Sequence, residues 1–117
     1  MCTRIYLSAL ALMLFGTAHA MERYTEARIT QVESSEAAVV LYLAVVSGHA
    51  PPIGNGGSNE PVSKPYLIVA NSHTDLEGRK HMLATALLAY SQGAVVRFRW
   101  EDAGQNANRI LVMLIRQ

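Results

Sequence analysis

The sequence predicts a small α+β domain that is mainly β with one helix. Short runs rich in β-branched and aromatic residues alternate with clusters of Gly, Pro, Asn and Ser, a pattern typical of strands and turns. One longer segment carries helix start and stop signals instead. The chain has 117 residues, and this length supports a single folded domain after an N-terminal leader is set aside.

Three strands are predicted in the first half of the chain. A β pattern begins at Ile29 and ends at the polar turn Glu33–Glu36. The run Ala38–Val46 is apolar on both faces, which indicates a strand buried on both sides. Residues 47–64 are rich in Gly, Pro and Asn and predict a loop. The third strand is Pro65–Asn71, with proline at its permitted first position.

A helix follows the third strand. Thr74 and Glu77 form a capping box, in which both side chains bind backbone amides at the helix start. Gly93 lies where a helix needs a left-handed C-terminal residue. The apolar stripe predicted to face the core consists of Leu76, Met82, Leu83, Ala86, Leu87 and Tyr90.

Two strands complete the domain. Ala94–Asp102 and Arg109–Gln117 read as strands on either side of the polar turn at residues 103–108. The order β-β-β-α-β-β is that of an OB-like, five-stranded Greek-key barrel with its helix plugging one end. An open α+β sandwich with the same order is the alternative. Short, evenly spaced strands favour the barrel, because closure removes exposed strand edges.

Residues 1–20 have the pattern of a secretory signal peptide. Arg4 supplies a positive start, residues 5–17 are an apolar run, and Ala18–Ala20 form a small-x-small cleavage site. Cleavage after Ala20 predicts a mature domain at residues 21–117, exported to the periplasm or secreted. The apolar run is short for a membrane-spanning helix. Cys2 precedes it, so no cysteine lies at the cleavage junction for lipid attachment.

The mature segment is electrically balanced and contains no cysteine. Of the ten Lys and Arg residues Arg4 lies in the leader, which leaves nine against nine Asp and Glu residues. This balance argues against nucleic acid, which is bound through an excess of cationic contacts to phosphates. A small exported domain without disulfides favours stabilisation by self-assembly.

The second half of the chain resembles the B subunits of bacterial AB5 toxins. The features that carry this resemblance are a helix ending "LLAYSQG", the strand "AVVRFRW", a polar turn and a final apolar strand. The subtilase-cytotoxin B subunit and its pertussis-like relatives are the most similar, and the cholera-toxin B subunit also has a tryptophan closing the corresponding strand. The match covers Leu76–Gln117. The mature segment lacks the disulfide cysteines of those subunits, and its loop at residues 47–64 has no counterpart there.

The resemblance implies a non-catalytic homopentamer that binds cell-surface glycans, sialoglycans among them. Rings of this family carry a toxic A subunit, so such a subunit is a candidate partner alongside further copies of this chain. Membrane insertion and cofactors are not expected. The alternative is a periplasmic OB-like module that binds a protein or small ligand without lectin activity. Binding of single-stranded nucleic acid is a third hypothesis, since OB barrels commonly do this.

Trp100 is the first candidate for a ligand contact. Its indole offers an apolar platform for a sugar ring, as the tryptophan of the cholera-type subunit does for galactose. Alternatively, Trp100 shares a strand face with Val96 and Phe98 and fills the end of the barrel. The sequence leaves both interpretations open. Polar candidates beside it for binding sugar hydroxyls are Glu101, Asp102, Gln105, Asn106 and Asn108.

Ser34 and Ser35 are a second candidate pair. A serine near the early strands contacts sialic acid in the subtilase and pertussis-like subunits, and these two serines lie in a similar region. An ordinary polar turn is the alternative. Arg97 and Arg99 are suited to hold a sugar carboxylate. They are equally consistent with a solvated strand face or with ion pairs.

No catalytic or metal site is predicted. Three histidines of the mature segment, His49, His73 and His81, do not have the spacing of a zinc-ligand pair on one helix. Ser72, His73 and Asp75 are too close in sequence to converge as a hydrolase triad. The sequence therefore favours a binding protein over an enzyme.

Overall fold

The computed structural model describes residues 21–54, 63–70, 74–102 and 108–116. These ranges contain six strands and one helix. The strands are β1 (Glu22–Ser34), β2 (Ala38–Gly48), β3 (Ile53–Gly54), β4 (Lys64–Ala70), β5 (Val95–Glu101) and β6 (Arg109–Ile115), and the helix is α1 (Leu76–Gln92). The predicted leader, Gln105 and Asn106 lie outside the described residues.

Five of the strands close into a barrel. β1 pairs antiparallel with β2 on one side and with β5 on the other. β2 also pairs with β4, and β5 with β6, again antiparallel. The ring closes where β4 and β6 meet in parallel, and there the Ile68 N–H donates to the Asn108 carbonyl at 2.8 Å. A mainly β domain with one helix is thus confirmed, and it is a closed barrel rather than an open sandwich.

The main differences from the predicted strands concern the start of β1, an additional short strand and the burial of β2. β1 begins at Glu22 rather than Ile29, because its pairing with β5 continues through the charged segment Glu22–Arg28. The short strand β3 lies within the predicted loop and pairs with the start of β4. β2 is not buried throughout: residues 39–43 are buried, but residues 44–48 are exposed because β4 pairs with β2 only as far as Tyr42.

β5 supplies the largest side chains of the core. Val96, Phe98 and Trp100 are fully buried and alternate with the outward-facing Arg97 and Arg99. Burying a large apolar side chain stabilises the fold by roughly 1.5–3 kcal/mol. The remaining buried members of the core cluster are Ala27, Ile29, Val39, Leu41, Leu43, Leu67, Val69, Ala86, Ala89 and Ile110.

The helix ends agree with the prediction at one terminus and differ at the other. Gly93 adopts the left-handed conformation (φ 63°) and ends α1, as predicted. The N-cap is Asp75, not Thr74: the Asp75 carboxylate accepts from the Gly78 N–H at 2.7 Å. Thr74 instead places its hydroxyl where a Cβ on residue 78 would lie, which the glycine permits. No helix within the described ranges has the length and apolar character needed to cross a membrane.

The side of α1 that faces the barrel overlaps with the predicted one for Met82, Leu83 and Ala86 and differs for the rest of the stripe. Ala86 and Ala89 are buried, and Met82 and Leu83 pack beside them. Small alanine side chains let the helix backbone approach the sheet closely. The predicted stripe is therefore wrong for three of its members, which are about half exposed: Leu76, Leu87 and Tyr90.

Candidate functional site

The outer surface of β1, β5 and β6 brings an aromatic ring, aliphatic side chains and guanidinium groups together. Strand alternation turns these side chains away from the core. They form two cross-strand rows. The first row is Tyr24, Arg99 and Val112, and the second is Glu26, Arg97 and Leu114. We call these six residues the Tyr24 face.

Large apolar side chains on the Tyr24 face are open to solvent. Tyr24 is 59% exposed, Leu114 58% and Val112 42%. Single exposed apolar residues are ordinary on protein surfaces, but a contiguous group with charged neighbours marks a binding surface. Tyr24 on β1 and the pair Val112 and Leu114 on β6 lie on either side of β5, and together with the β5 arginines they line one shared hollow.

Two hollows flank the Tyr24 ring. The larger, of about 310 Å³, lies toward the end of β2 and is lined by Tyr24, Thr25, Glu26, Ser47, Gly48 and Arg97. The smaller, of about 210 Å³, lies toward β6 and is lined by Tyr24, Arg97, Arg99, Val112 and Leu114. Tyr24 and Arg97 border both. The larger hollow falls at the lower end of the size range of small-molecule sites.

Carboxylates on β1 hold the guanidinium groups of this surface. Glu26 accepts from Arg97 Nη2 at 3.4 Å and from Arg116 Nη1 at 2.7 Å. Arg99 Nε lies 3.9 Å from Glu22 Oε2, and this nitrogen is buried without a hydrogen-bond partner among the described residues. Three guanidinium groups thus share two carboxylates, which leaves a local positive excess beside Tyr24.

Trp100 lies beneath this surface, in the core. Its side chain is fully buried, so the indole has no exposed face on which a sugar could stack. Its Nε1–H donates to Thr25 Oγ1 at 2.8 Å, which satisfies the one polar group of the ring. Of the two interpretations left open by the sequence, the structure has the one in which Trp100 fills the barrel end.

Glu101 and Asp102 are partly buried and engaged in ion pairs. Glu101 Oε2 lies 4.0 Å from Arg109 Nη1. Asp102 Oδ2 lies 3.0 Å from Arg23 Nε and 3.7 Å from His49 Nε2. The Glu101 and Asp102 side chains retain 20% and 24% exposure, and Asp102 differs in contacting two side chains, Arg23 and His49.

Asn108 is a structural residue in this arrangement. It is buried and has a positive φ of 64°, which asparagine adopts more readily than most residues. Its N–H donates to the Glu101 carbonyl at 2.7 Å and its Nδ2 donates to the Tyr66 carbonyl at 3.2 Å. The side-chain amide therefore tethers β6 to β4 rather than facing solvent.

Ser34 and Ser35 lie far from the other candidates. Ser34 is the last residue of β1, whereas Trp100 pairs with Arg23 at the beginning of that strand. Ser35 Oγ accepts from the N–H groups of Ala37 and Ala38 at 3.3 and 3.2 Å, which stabilises the turn into β2. The structure therefore separates the two predicted groups of site residues, and Ser35 acts as a turn residue.

Metal-binding side chains do not cluster in the part of the chain that the structure describes: no three of His, Cys, Asp and Glu lie close enough there to hold an ion. His49 packs against Trp100, with ring centres 5.8 Å apart. His81 is exposed on α1, and His73 lies outside the described residues.

Sequence reasoning missed Tyr24 and the environment of His49. Tyr24 stands in the charged segment "MERYTEAR", which lacks the apolar alternation expected of a strand. The sequence does contain one indication of a strand here: large or charged residues alternate with small ones. The small residues, Thr25 and Ala27, are buried in the structure, and Tyr24, Glu26 and Arg28 alternate with them. His49 touches Trp100 and Asp102 across more than fifty positions of sequence, and no local pattern reveals that contact.

No protein-family model, no curated protein and no solved structure matches this chain. The function is therefore argued from the geometry of the Tyr24 face and of the barrel that presents it.

Proposed function

We propose that this protein is an exported, non-catalytic carbohydrate-binding subunit of the AB5 B-subunit type, built on an OB-like barrel and assembled as a homopentamer. The glycan contact is the Tyr24 face. Sialoglycans are the first ligands to test, since the resemblance at the C-terminal helix and strands points to them. A toxic A subunit is a candidate partner of the ring.

The OB-like assignment is supported by the strand pairings. Setting aside the two-residue β3, the closed order is β1-β2-β4-β6-β5, and among the described strands only β4 and β6 pair in parallel. The helix connects the third long strand to the fourth. A five-stranded Greek-key barrel of OB type has five strands in a closed or nearly closed ring and a helix in this region of the chain.

The observation that carries the glycan proposal is the exposed Tyr24 ring between two hollows. Sugar rings have apolar faces that pack on aromatic side chains, and their hydroxyls need a few fixed polar groups around such a platform. Arg97 and Glu26 border the larger hollow and provide a donor and an acceptor. Arg97 and Arg99 border the smaller one, where a planar guanidinium can bind a carboxylate with two hydrogen bonds.

Assembly into a ring is supported by apolar surface outside the Tyr24 face. Leu76, Leu87, Leu88 and Tyr90 on α1 are each about half exposed, and Val45 and Val46 are exposed at the end of β2. Exposed apolar side chains that lie close together on one surface are typical of interaction sites. A cyclic assembly would bury two different patches of each copy against its neighbours.

The test is a glycan array probed with wild-type protein, Tyr24→Ala and Ile53→Ala. Ile53 is the control because it is a similarly exposed large apolar residue, 66%, on β3 and outside both the Tyr24 face and the surface proposed for assembly. We expect Tyr24→Ala to weaken glycan binding by about tenfold or more, since each tenfold corresponds to about 1.4 kcal/mol, and Ile53→Ala to bind as the wild type does. Absence of glycan binding by the wild type, or equal loss in both variants, would contradict the proposal.

The homopentamer is tested separately by light scattering on a sizing column. A mass five times that of one mature chain is expected. A monomeric mass would contradict the homopentamer. The glycan site would still be tested by the array.

A second candidate is an interaction module without lectin activity. The half-exposed leucines of α1 favour it, because an apolar helix face is a common docking surface for a protein partner. An array without any binding, together with a monomeric mass, would favour this candidate.

A further inference from the structure

Three segments meet at the end of the barrel where Trp100 is buried. The hydroxyl of Thr25 in β1 accepts from Trp100 Nε1–H and donates to the backbone carbonyl of His49, at the end of β2. The imidazole of His49 lies against the indole, with ring centres 5.8 Å apart and planes tilted by 46°. His49 therefore covers the buried Trp100 and connects β2 to β1 and β5.

The charges around His49 form a compact network. From the end of β5, Asp102 Oδ2 lies 3.7 Å from His49 Nε2. From β1, Arg23 Nε lies 3.0 Å from the same oxygen and carries the opposing positive charge. The neighbouring carboxylates Glu22 and Glu101 are engaged with Arg99 and Arg109. An added proton on His49 thus meets the Asp102 carboxylate at close range.

His49 is also joined directly to the wall of the larger hollow. Its backbone N–H donates to the Tyr24 carbonyl at 2.9 Å. The two preceding residues, Ser47 and Gly48, line that hollow together with Tyr24. A contact that holds His49 in place consequently holds the end of β2 against Tyr24.

We propose that His49 is a pH-responsive latch beside the larger hollow: its protonated imidazole binds Asp102, fixes the end of β2 against β1 and thereby strengthens ligand binding in that hollow at acidic pH. Imidazole is the side-chain group that ordinarily changes charge between about pH 8 and pH 5. The charge pair exists only while the imidazole carries its proton, so the latch is engaged at acidic pH and released as the pH rises. This inference rests on the proposed function, because it regulates the same site.

The latch itself is tested without a ligand, by hydrogen exchange of the residue 49 amide at pH 5.5 and pH 7.5, corrected for the intrinsic exchange rate. We expect protection to be about two- to fivefold greater at pH 5.5 in the wild type, the range that a partly exposed ion pair supports. His49→Gln and Asp102→Asn should remove this difference. His81→Gln, which changes an exposed histidine on α1, should keep it.

Trp100 provides a second readout because it is the only tryptophan of the chain. A protonated imidazole against an indole quenches its fluorescence, so emission should fall on acidification in the wild type, Asp102→Asn and His81→Gln, but not in His49→Gln. The Asp102→Asn variant should therefore keep the contact between His49 and Trp100, seen as quenching, but lose the pH-dependent protection of the residue 49 amide. Protection that is independent of pH in the wild type, or pH-dependent protection that persists in Asp102→Asn, would overturn the proposal.

The coupling to the site is tested with 3′-sialyllactose as the probe, titrated at both pH values. Binding about two- to fivefold tighter at pH 5.5 in the wild type, and equal at both pH values in His49→Gln, would support the coupling. Equal binding by the wild type at both pH values, with pH-dependent protection intact, would overturn it. Absence of binding to the probe and to every array glycan would overturn the proposed function instead, and the exchange experiment would still decide the latch.

Discussion

The inner and outer faces of the β1–β5 pair are built from the same two stretches of sequence and serve different ends. On the inner face Val96, Phe98 and Trp100 are fully buried, and the one polar group of the indole is bonded to Thr25. On the outer face, Tyr24 occupies the position next to Thr25 along β1. It is exposed, and guanidinium groups outnumber carboxylates around it. A position's parity along the strand therefore decides whether an aromatic residue supports the fold or is available to a ligand.

The largest effect should come from removing Trp100. Trp100→Ala deletes the largest fully buried side chain and leaves a cavity that the barrel can only partly close. We expect the free energy of unfolding to fall by about 3–5 kcal/mol, measured by urea denaturation. Tyr24→Ala is the matching change on the outer face. It should lower the free energy of unfolding by less than about 0.5 kcal/mol, because Tyr24 is exposed. Equal losses in the two variants would erase the distinction between the faces.

The alternation that creates these faces could be predicted from the sequence. The segment Val96–Trp100 alternates apolar residues with arginines, and a period of two places them on opposite sides of a strand. What local sequence could not supply is which aromatic side chain remains uncovered. Tyr24 is exposed because β1 extends through charged residues to pair with β5, a pairing with a residue more than seventy positions away.

Gly48 packs against the backbone of Tyr24, on the outer face, and of Thr25, on the inner face. Its replacement should have the next largest effect on stability. Its φ is +87°, and a Cβ there would lie 2.5 Å from the Tyr24 carbonyl oxygen. Gly48→Ala therefore combines backbone strain with a backbone collision, and we expect a loss of about 2–4 kcal/mol in unfolding free energy. Gly93→Ala is the control: φ is +63° but nothing lies within 4 Å, so only the strain of about 1–2 kcal/mol applies. If Gly93→Ala were the more damaging change, close approach of β2 to β1 would not be the reason for the glycine.

The hydrogen bond of Thr25 to Trp100 should have an intermediate effect. Thr25→Val is similar in shape but leaves the buried indole N–H without its acceptor and also removes the donor to the His49 carbonyl. Leaving a buried donor unpaired destabilises a protein by about 1–3 kcal/mol, and chemical denaturation measures the loss. Thr30→Val on the same strand is the control, because Thr30 is an exposed residue whose hydroxyl donates to the Tyr42 carbonyl at 3.2 Å in a partly buried hydrogen bond. A smaller loss for Thr25→Val than for Thr30→Val would show that burial does not govern the strength of this bond.

The helix shows where a sequence pattern was only half right. The spacing of apolar residues predicted a stripe that included Ala86, which is buried, but also Leu76, Leu87 and Tyr90, which are exposed, and it left out the buried Ala89. Apolar residues lie around most of α1, so periodicity alone could not select one side. The capping residue was likewise displaced by one position, since Thr74 and Asp75 are both good N-caps. Such choices depend on the tertiary fit between helix and barrel.

The smallest effect is expected for the charges of the outer face. Glu26→Gln removes the carboxylate that accepts from Arg97 and Arg116, but all these groups retain access to water. Exposed ion pairs contribute about 0.2–1 kcal/mol each and are screened by salt, so we expect a loss near the upper end of that range in low salt and a smaller loss in 1 M NaCl. Glu22→Gln is the matched control on the same strand, since its ion pair with Arg99 spans 3.9 Å and should contribute less. A salt-independent loss, or one as large as that of Thr25→Val, would mean that the outer face supports the fold as the inner face does. The Tyr24 face would then be a structural surface rather than one left available for a ligand.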